Sequence, residues 1–314
     1  MPKILVTGSL PSAVLSRLDA AGDVDLHAER AGMSQDALRQ RIADADAMVC
    51  MLTDHIDASV IAEARRLKVI ANVAVGYNNI DVESARARGI VVTNTPDVLT
   101  EAVANLTWGM ILAVTRRLSE GERLVRAGRW QGWAFDFMLG ADLGGKQLGL
   151  VGLGRIGRAV AARAPAFGMS VACTSRRRSA LAGAEAMSLD RLLATSDIVS
   201  LHVPLNAATR HLIDGPALAR MKRSAYLINT ARGPIVDEAA LAWALEQGLI
   251  AGAALDVHEH EPAVHPGLLA LENILLLPHL GSATIETRTA MASLAVDNVV
   301  AVLSGQPPVT PVSS

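Results

Sequence analysis

The chain has 314 residues, enough for two domains that each bury a full apolar core. Apolar residues make up 51% of the sequence and charged residues 19%, a composition that excludes a disordered chain. The formal net charge of −2 argues against a nucleic-acid-binding surface, and no apolar run reaches transmembrane length.

The N-terminus and the cysteines both favour a cytoplasmic protein. Residues Met1–Val6 enter an apolar strand at once, without the apolar region of a signal peptide. Cys50 and Cys173 each lie in an apolar, strand-like run, which favours reduced core thiols over a disulfide. We therefore expect a cytoplasmic protein with neither a membrane nor a nucleic acid as its partner.

Short apolar strands alternate with helical segments over the first hundred residues. The helical segments have apolar residues at helical spacing, with Ser or Asp near their starts. This alternation predicts a parallel sheet with helices on both faces. The predicted strands are Lys3–Thr7, Val24–His27, Ala47–Met51, Val69–Val73 and Ile90–Thr93, and the predicted helices are Ser12–Ala20, Ser34–Ala43 and Asp57–Ala64.

Two loops of this first region are candidate ligand sites. Ligands bind parallel sheets beyond the carboxyl ends of the strands. The loops Leu52–Asp54 and Ala74–Asp81 follow predicted strands and occupy such positions.

A long helical stretch from Leu99 to about Arg126 leads into an aromatic segment that contains Trp130 and Trp133. Only 3% of the residues of the whole chain are aromatic, so this clustering needs a reason. The segment is either part of a core, or a subunit interface or substrate-pocket wall.

A glycine-rich turn follows the predicted strand Gln147–Val151. The residues Gly152–Gly157 read G-L-G-R-I-G and open a helix, and a second strand, Ser170–Thr174, comes about 20 residues later. Strand, glycine turn, helix and strand together form the βαβ unit that binds dinucleotides. Pro165 removes a helical hydrogen bond, so we expect this helix to kink or end early.

Each glycine of the turn has a predicted role. Gly152 permits a tight turn, Gly154 lets the backbone approach a pyrophosphate, and Gly157 allows close packing of helix and strand. The helix N-terminus, which includes Arg155 and Ile156, offers N–H groups and the positive end of the helix dipole to the phosphates.

The tip of the second strand carries Ser175, Arg176 and Arg177, and no acidic residue. An NAD site usually has Asp or Glu here to bind the ribose 2′-hydroxyl, and that carboxylate would repel a 2′-phosphate. A hydroxyl and two guanidinium groups would bind the 2′-phosphate instead. We predict a preference for NADP(H), with NAD(H) bound at lower affinity; a solvated basic turn is the alternative.

Further strands follow at Asp197–His202, Ala225–Thr230, Gly252–Val257 and Ile274–Leu277. With the two strands of the βαβ unit they make six, the number of a complete dinucleotide-binding domain. The last helical stretch, Ser282–Leu303, has no strand after it, so we expect it to cross back and cover the first domain.

Polar residues lie just beyond the ends of three of these strands. Arg232, Glu261 and His279 should meet near the carboxyl edge of the sheet, where a nicotinamide would lie. An arginine fork can bind a carboxylate and polarise a carbonyl, and a histidine can protonate the alkoxide that hydride transfer leaves. A carboxylate beside the histidine favours its protonated form. These residue types suit reduction of a 2-oxo acid.

His258 and His260 flank Glu259, an arrangement that could bind a metal ion. They alternate along a loop without a third ligand nearby, so we predict no metal site.

These residues resemble the motifs of the D-2-hydroxyacid dehydrogenase family, most closely its NADPH-dependent glyoxylate/hydroxypyruvate reductases. The likeness covers nearly the whole chain, although Asn78 stands where many members have Asp. The shared motifs are V-G-x-x-N-I-D at Val75–Asp81, G-L-G-R-I-G at Gly152–Gly157, N-x-x-R-G at Asn229–Gly233, Glu261-Pro262, and P-H-x-G-S at Pro278–Ser282.

The resemblance implies roles for particular residues. His279 would be the general acid/base, Glu261 its partner and Arg232 the substrate clamp. Backbone N–H groups of the loop with Val75 and Gly76 would bind the substrate carboxylate. The other implied contacts are Asp256 with the nicotinamide carboxamide, Thr100, Pro204, Thr209 and Ala231 with the cofactor, Leu52 with the substrate, and Trp133 with the pocket of a neighbouring subunit.

The resemblance also implies two Rossmann-like, doubly wound parallel-sheet domains in a homodimer, with the active site in the cleft. The flavodoxin-like substrate domain would comprise residues 1–98 and 283–314, and the NAD(P)-binding Rossmann domain residues 99–282. A 2-oxogluconate reductase and, more remotely, a dinucleotide-sensing corepressor are the alternatives. Formate oxidation is disfavoured, because that branch has Gln in place of the Glu beside the His.

Overall fold

The structure, a computed structural model, describes residues 1–29, 32–175 and 183–312. The chain divides into two compact units. Unit 1 comprises Met1–Leu99 and Thr284–Ser314, and unit 2 comprises Thr100–Ala283. Each unit has its own parallel sheet, which confirms the predicted class of two parallel-sheet α/β domains.

Strands and helices alternate along unit 1 as far as Thr93. They are β1 (Lys3–Val6), α1 (Ser12–Asp19), β2 (Asp23–Leu26), α2 (Gln35–Ile42), β3 (Ala47–Cys50), α3 (Ala58–Glu63), β4 (Val69–Asn72), α4 (Val82–Ala87) and β5 (Val91–Thr93). The strands pair in parallel in the order β2-β1-β3-β4-β5, the order of flavodoxin-like sheets. Helix α4 is absent from the sequence prediction, because its six residues show no clear apolar stripe.

Side-chain caps and strand composition explain these elements. Ser34, Asp57 and Asp81 each accept a backbone N–H at the first turn of α2, α3 and α4, respectively. All residues of β3 and β4 are buried, because helices cover both faces of the sheet.

Unit 2 repeats the alternation on a larger scale. Its elements are α5 (Thr100–Thr115), α6 (Leu118–Arg126), β6 (Gln147–Val151), α7 (Arg155–Ala161), β7 (Ser170–Thr174), β8 (Ala184–Ala186), α8 (Leu189–Thr195), β9 (Ile198–Leu201), α9 (Gly215–Arg220), β10 (Tyr226–Asn229), α10 (Glu238–Glu246), β11 (Gly252–Leu255), α11 (Pro266–Leu269) and β12 (Ile274–Leu276). The strands pair in parallel in the order β8-β7-β6-β9-β10-β11-β12. Counted from β6, this is the Rossmann order with one strand added, and it reverses direction between β6 and β9.

The sequence prediction of unit 2 was wrong at two places. It counted six strands and omitted β8, a three-residue edge strand of sequence Ala-Glu-Ala without an apolar run. It also made one helix of α5 and α6, which are separated where Arg117 takes a left-handed conformation, with φ 54°. The Arg117 guanidinium binds Glu120 at 2.7 Å in the first turn of α6.

Pro165 acts as predicted. Helix α7 ends at Ala161, and Pro165 lies in the first turn of a 3-10 helix at Ala164–Phe167, where its missing N–H costs nothing.

The last helix, α12 (Ile285–Leu303), packs against α1, β3 and β4 of unit 1. Its buried contact residues are Ala292, Ala295, Val296 and Val299. Both cysteines, Cys50 in unit 1 and Cys173 in unit 2, are buried free thiols. Within the described ranges, no helix combines the length and apolar character needed to cross a membrane.

Candidate active site

The glycine turn after β6 lies where the strand order of unit 2 reverses. Gly152 has φ 103°, and a Cβ at this position would lie 2.7 Å from the backbone of His202, just after β9. A Cβ on Gly157 would lie 2.3 Å from the carbonyl oxygen of Gly152, so α7 packs directly on the turn. A Cβ on Gly154, by contrast, would meet no described atom within 4 Å. The turn is therefore closed on its protein side and open at Gly154, where a pyrophosphate would approach.

The different surroundings of Gly154 and Gly157 predict different effects of alanine. Gly154→Ala is expected to leave the unfolding midpoint unchanged and to raise the KM for the dinucleotide at least about 10-fold, a loss of about 1.4 kcal/mol. Gly157→Ala is expected to lower the free energy of unfolding by about 1–3 kcal/mol through overpacking. Urea unfolding and cofactor titration of both variants test this; equal loss of stability in both would contradict it.

His202 faces the turn as a neutral side chain. Its Nε2 lies 2.9 Å from the hydroxyl of Ser200, and burial lowers its pKa to about 4. The imidazole is uncharged near pH 7 and adds no positive charge beside the glycine turn.

The remaining cofactor candidates lie in loops and helix ends of unit 2. Arg155 and Ser175 are exposed, and Ile156 is half-buried at the start of α7. Arg176 and Arg177 lie outside the described residues. Thr100 starts α5, the Thr209 hydroxyl donates to the carbonyl of Pro204 at 2.7 Å, and Ala231 follows β10.

His279 and Glu261 form a hydrogen-bonded pair. The His279 Nδ1 and the Glu261 Oε2 lie 2.9 Å apart, and the two side chains remain 25% and 35% exposed. Burial raises the pKa of Glu261, but the hydrogen bond and charge of His279 lower it, and the net pKa is below the usual range. Glu261 is therefore ionised near neutral pH and accepts a hydrogen bond from the Nδ1 of His279.

The backbone of His279 is left-handed, with φ 56°, a conformation that costs roughly 1–2 kcal/mol for a residue other than glycine. Asp256 holds it there. The carbonyl of Asp256 accepts the N–H of His279 at 2.9 Å, and its carboxylate accepts those of Leu280 and Gly281 at 2.6 and 2.8 Å. Asp256, predicted as a nicotinamide contact, is thus also the support of the histidine loop.

Arg232 is held by the residues around it after β10. The Asn229 amide donates to the carbonyl of Arg232 at 2.9 Å and accepts the N–H of Ala231 at 3.0 Å. A Cβ on Gly233 would lie 1.8 Å from the carbonyl oxygen of His258, so the arginine loop and the loop after β11 touch through their backbones.

Arg232 is close enough to Glu261 to interact with its charge. Burial lowers the pKa of Arg232, and the negative charge of Glu261 opposes that shift. The guanidinium stays charged at any working pH. The structure therefore brings together the arginine, the carboxylate and the imidazole predicted from three separate strand ends.

The predicted substrate loops of unit 1 are built around buried amides. The carbonyls of Val75 and Gly76 accept side-chain N–H groups of Asn94 and Asn72, at 2.8 and 2.9 Å. Among the described residues, the backbone N–H groups of Val75 and Gly76 donate no hydrogen bond. Both amides are therefore available to an anionic ligand. Leu52 is half-buried in the neighbouring loop.

The buried Asn79 amide joins these two loops, and the buried carboxylate of Asp54 holds the first of them. Asp54 accepts the N–H of Met51 at 2.7 Å and the hydroxyl of Thr7, and burial raises its pKa. The Asn79 amide donates to the carbonyls of Met51 and Asp54 at 3.3 and 3.1 Å. The sequence places Asp54 in a candidate loop and Asn79 in the V-G-x-x-N-I-D motif, but it does not show that the two loops are hydrogen-bonded to each other.

The aromatic segment after α6 is exposed in this single chain. Trp133 and Phe135 are 83% and 86% exposed, and Trp130 is 55% exposed. Of the two sequence interpretations, a core position is therefore wrong within the isolated chain, and an interface or pocket wall stays a prediction.

No group of three or more metal-binding side chains occurs among residues 1–29, 32–175 and 183–312. His258 is buried, and His260 is exposed two residues further on.

Residues 108–281 match the family described as "D-isomer specific 2-hydroxyacid dehydrogenase, NAD binding domain". A glyoxylate reductase of Thermofilum pendens is 48% identical over 316 residues, with 98% of this chain and 93% of the relative covered. The chain belongs to the D-isomer specific 2-hydroxyacid dehydrogenases. It is an NAD(P)-dependent dehydrogenase, as the sequence motifs predicted.

Solved structures of similar proteins agree over the full length. A protein from Thermus thermophilus has a TM-score of 0.94 and 46% identity, with 99% of this chain and 100% of that chain covered. The NADPH-dependent glyoxylate/hydroxypyruvate reductase of Sinorhizobium meliloti, solved with NADP and malonate, has a TM-score of 0.89 and 39% identity, covering 99% and 97%. One of these similar proteins was thus solved with a bound dinucleotide.

Proposed function

We propose that this dehydrogenase reduces a small 2-oxo acid, such as glyoxylate or hydroxypyruvate, to the D-2-hydroxy acid with NADPH. The single observation that carries the proposal is the 2.9 Å pair of His279 and Glu261 beside Arg232 at the strand ends of the dinucleotide sheet. The names of the Thermofilum pendens and Sinorhizobium meliloti relatives support the substrate class.

The geometry divides the chemical work among these three side chains. When bound, the nicotinamide cofactor would supply the hydride that reduces the carbonyl carbon. Arg232 binds the substrate carboxylate and polarises the carbonyl oxygen, on which negative charge develops. Because the Nδ1 of His279 faces Glu261, its Nε2 is the atom that gives a proton to that oxygen.

Several other residues would bind the two substrates. Gly152, Gly154 and Gly157 with the start of α7 would hold the pyrophosphate, and Val75 and Gly76 would donate their free N–H groups to the substrate carboxylate. The substrate would bind to the domain formed by residues 1–98 and 283–314, and the dinucleotide to the domain of residues 99–282. The other proposed contacts are Thr100, Arg155, Ile156, Pro204, Thr209, Ala231 and Asp256 with the cofactor and Leu52 with the substrate.

A panel of 2-oxo acids tests the proposal. Purified protein is assayed with glyoxylate, hydroxypyruvate, pyruvate and 2-oxogluconate, each with NADPH and NADH. We expect the highest kcat/KM with glyoxylate or hydroxypyruvate and NADPH. A higher kcat/KM with 2-oxogluconate would favour a sugar-acid reductase, and no oxidation of NADPH with any acid would contradict the enzyme function.

The preference for NADPH is assigned to Ser175, Arg176 and Arg177. Each arginine can give a charge-assisted hydrogen bond to the 2′-phosphate, worth about 1.5–3 kcal/mol. We expect the double variant Arg176→Ala/Arg177→Ala to lower kcat/KM with NADPH about 100-fold or more. With NADH, kcat/KM should change less than about 3-fold, because no 2′-phosphate is present.

Arg191, an exposed arginine paired with Glu185, provides the matched control. Arg191→Ala removes a positive charge from the same unit and should leave both kcat/KM values unchanged. Equal losses with NADPH and NADH in the double variant would refute the assignment.

The exposed aromatic segment supports a homodimer. Trp133 and Phe135 expose large apolar side chains that water does not favour, and we assign Trp133 to the pocket of the neighbouring subunit. Sedimentation of the wild type is expected to give a dimer, and Trp133→Ala to raise the KM for the 2-oxo acid. A monomeric, fully active wild type would contradict this assignment. The proposed compartment is the cytoplasm.

A further inference from the structure

The segment His258-Glu259-His260 has a role in the structure that is not metal binding. The side chain of His258 is buried directly after β11, whereas His260, on the same loop, is exposed. A buried imidazole needs partners for its two ring nitrogens, and these partners define its role.

The first set of contacts joins His258 to both members of the proposed catalytic pair. Its Nε2 donates to the carbonyl of Leu277 at 2.9 Å, two residues before His279. Its backbone N–H donates to the Glu261 Oε1 at 3.0 Å, while the other oxygen of Glu261 contacts His279. His258 is thus bonded to Glu261 and to the segment that carries His279.

Glu238, at the start of α10, is the anchor beneath this loop. It is only 3% exposed, and its two oxygens accept the backbone N–H groups of Glu259 and His265, at 2.9 and 3.1 Å. The Glu238 Oε1 also lies 3.6 Å from the His258 Nδ1, a distance for charge attraction rather than a hydrogen bond. The carboxylate therefore fixes both ends of the loop that contains Glu261.

The charges around His258 favour its protonated form. Glu238 faces it from α10 and Glu261 from its own loop, while Arg232 and His279 both interact with Glu261. Burial lowers the pKa of His258, but these two carboxylates and the Leu277 carbonyl raise it above its usual value overall. The positive charge in turn contributes to the lowered pKa of Glu261.

We propose that His258 is a positioning residue that ties the loop of Glu261 to the segment of His279, with Glu238 as its anchor. The inference rests on the proposed function, in which Glu261 and His279 act as a pair. His258 touches neither substrate nor cofactor in this assignment; it acts through Glu261.

The test compares two variants of His258, both of which keep the backbone N–H that donates to Glu261. His258→Phe removes the side-chain hydrogen bond to Leu277 and the positive charge, whereas His258→Gln keeps a donor toward Leu277. Glu238→Gln removes the anchoring charge. In His258→Phe we expect kcat to fall about 10-fold while the KM for NADPH stays unchanged, because the pair is displaced rather than removed. His258→Gln should recover part of the lost kcat.

The pH profile gives a readout that a merely structural role would not move. Glu261 must be ionised, so activity is lost as the pH falls through its pKa. Loss of the positive charge on His258 raises the pKa of Glu261. Loosening of the loop that contains Glu261 raises it as well. The acid limb of kcat/KM should therefore move to higher pH by roughly half a unit or more in His258→Phe and Glu238→Gln.

His260→Phe is the matched control, a change of the same type two residues away on the same loop. It should alter neither kcat nor the acid limb. An unchanged acid limb in folded His258→Phe and Glu238→Gln, or an equal shift in the His260 control, would overturn the proposal.

Amide hydrogen exchange followed by mass spectrometry separates this inference from the proposed function, since it requires no turnover. Exchange should rise in residues 258–265 and 277–281 of His258→Phe and Glu238→Gln, and not in the His260 control. Unchanged exchange in those segments contradicts the positioning role of His258. A wild type that is inactive on every 2-oxo acid contradicts only the proposed reductase function.

Discussion

Replacing His279 with Ala is expected to lower kcat for 2-oxo acid reduction by about 10²–10⁴-fold, the usual contribution of a general acid. The alkoxide that hydride transfer leaves would then take its proton from water, without the imidazole that Glu261 orients through Nδ1. Steady-state rates with NADPH and glyoxylate at saturating concentrations measure the loss.

Binding of NADPH should survive this substitution. The pyrophosphate is assigned to the glycine turn and the proton transfer to His279, so the Kd for NADPH should stay within about 3-fold of the wild type, under 1 kcal/mol. Quenching of tryptophan fluorescence by NADPH measures that Kd. The control is His260→Ala, because His260 is an exposed histidine on the loop that carries Glu261. This variant should retain full kcat. An unchanged kcat in His279→Ala would rule out the acid role.

His279→Ala also tests the strain at this position. The left-handed backbone of residue 279 is held by Asp256 through backbone N–H groups, which alanine keeps. The loop should therefore retain its conformation, and the loss of rate reports the imidazole rather than a collapsed loop.

The fold was predictable because its strongest signals are local. Buried central strands such as β3 and β6 are continuous apolar runs, and Ser or Asp caps mark helix starts in the sequence itself. The misses have no such signal. Strand β8 is too short and too polar to be recognised. The break between α5 and α6 depends on the left-handed backbone of Arg117, and no glycine or proline at that position marks it in the sequence.

The candidate site was predictable for a topological reason. In a parallel sheet the carboxyl ends of neighbouring strands share one edge, so Arg232, Glu261 and His279 could be grouped without coordinates. Their supports could not. Glu238 and His258 are 20 residues apart in sequence, and only the tertiary structure brings the start of α10 next to the loop after β11. Buried polar networks of this kind depend on tertiary contacts that periodicity does not contain.

Arg232→Lys should be nearly as damaging as loss of the histidine, although it keeps the positive charge. A guanidinium presents two parallel N–H groups to a carboxylate. The lysine side chain is shorter and ends in a single point charge, which cannot bind the carboxylate and the carbonyl oxygen together. We expect kcat/KM for glyoxylate to fall about 10²–10³-fold, or roughly 3–4 kcal/mol. The loss should appear in both kcat and KM, because the side chain is assigned both to binding and to the developing charge.

Arg210→Lys is the matched control for this substitution. Arg210 is an exposed arginine whose guanidinium lies 3.5 Å from Glu259, a residue of the same loop that carries Glu261. It should retain wild-type kcat/KM. The Kd for NADPH should also be unchanged in Arg232→Lys, since the arginine is assigned to the substrate. If only KM rises in Arg232→Lys and kcat is unchanged, Arg232 binds the carboxylate without stabilising the transition state. If kcat/KM stays within about 3-fold of the wild type, Arg232 has no part in the site.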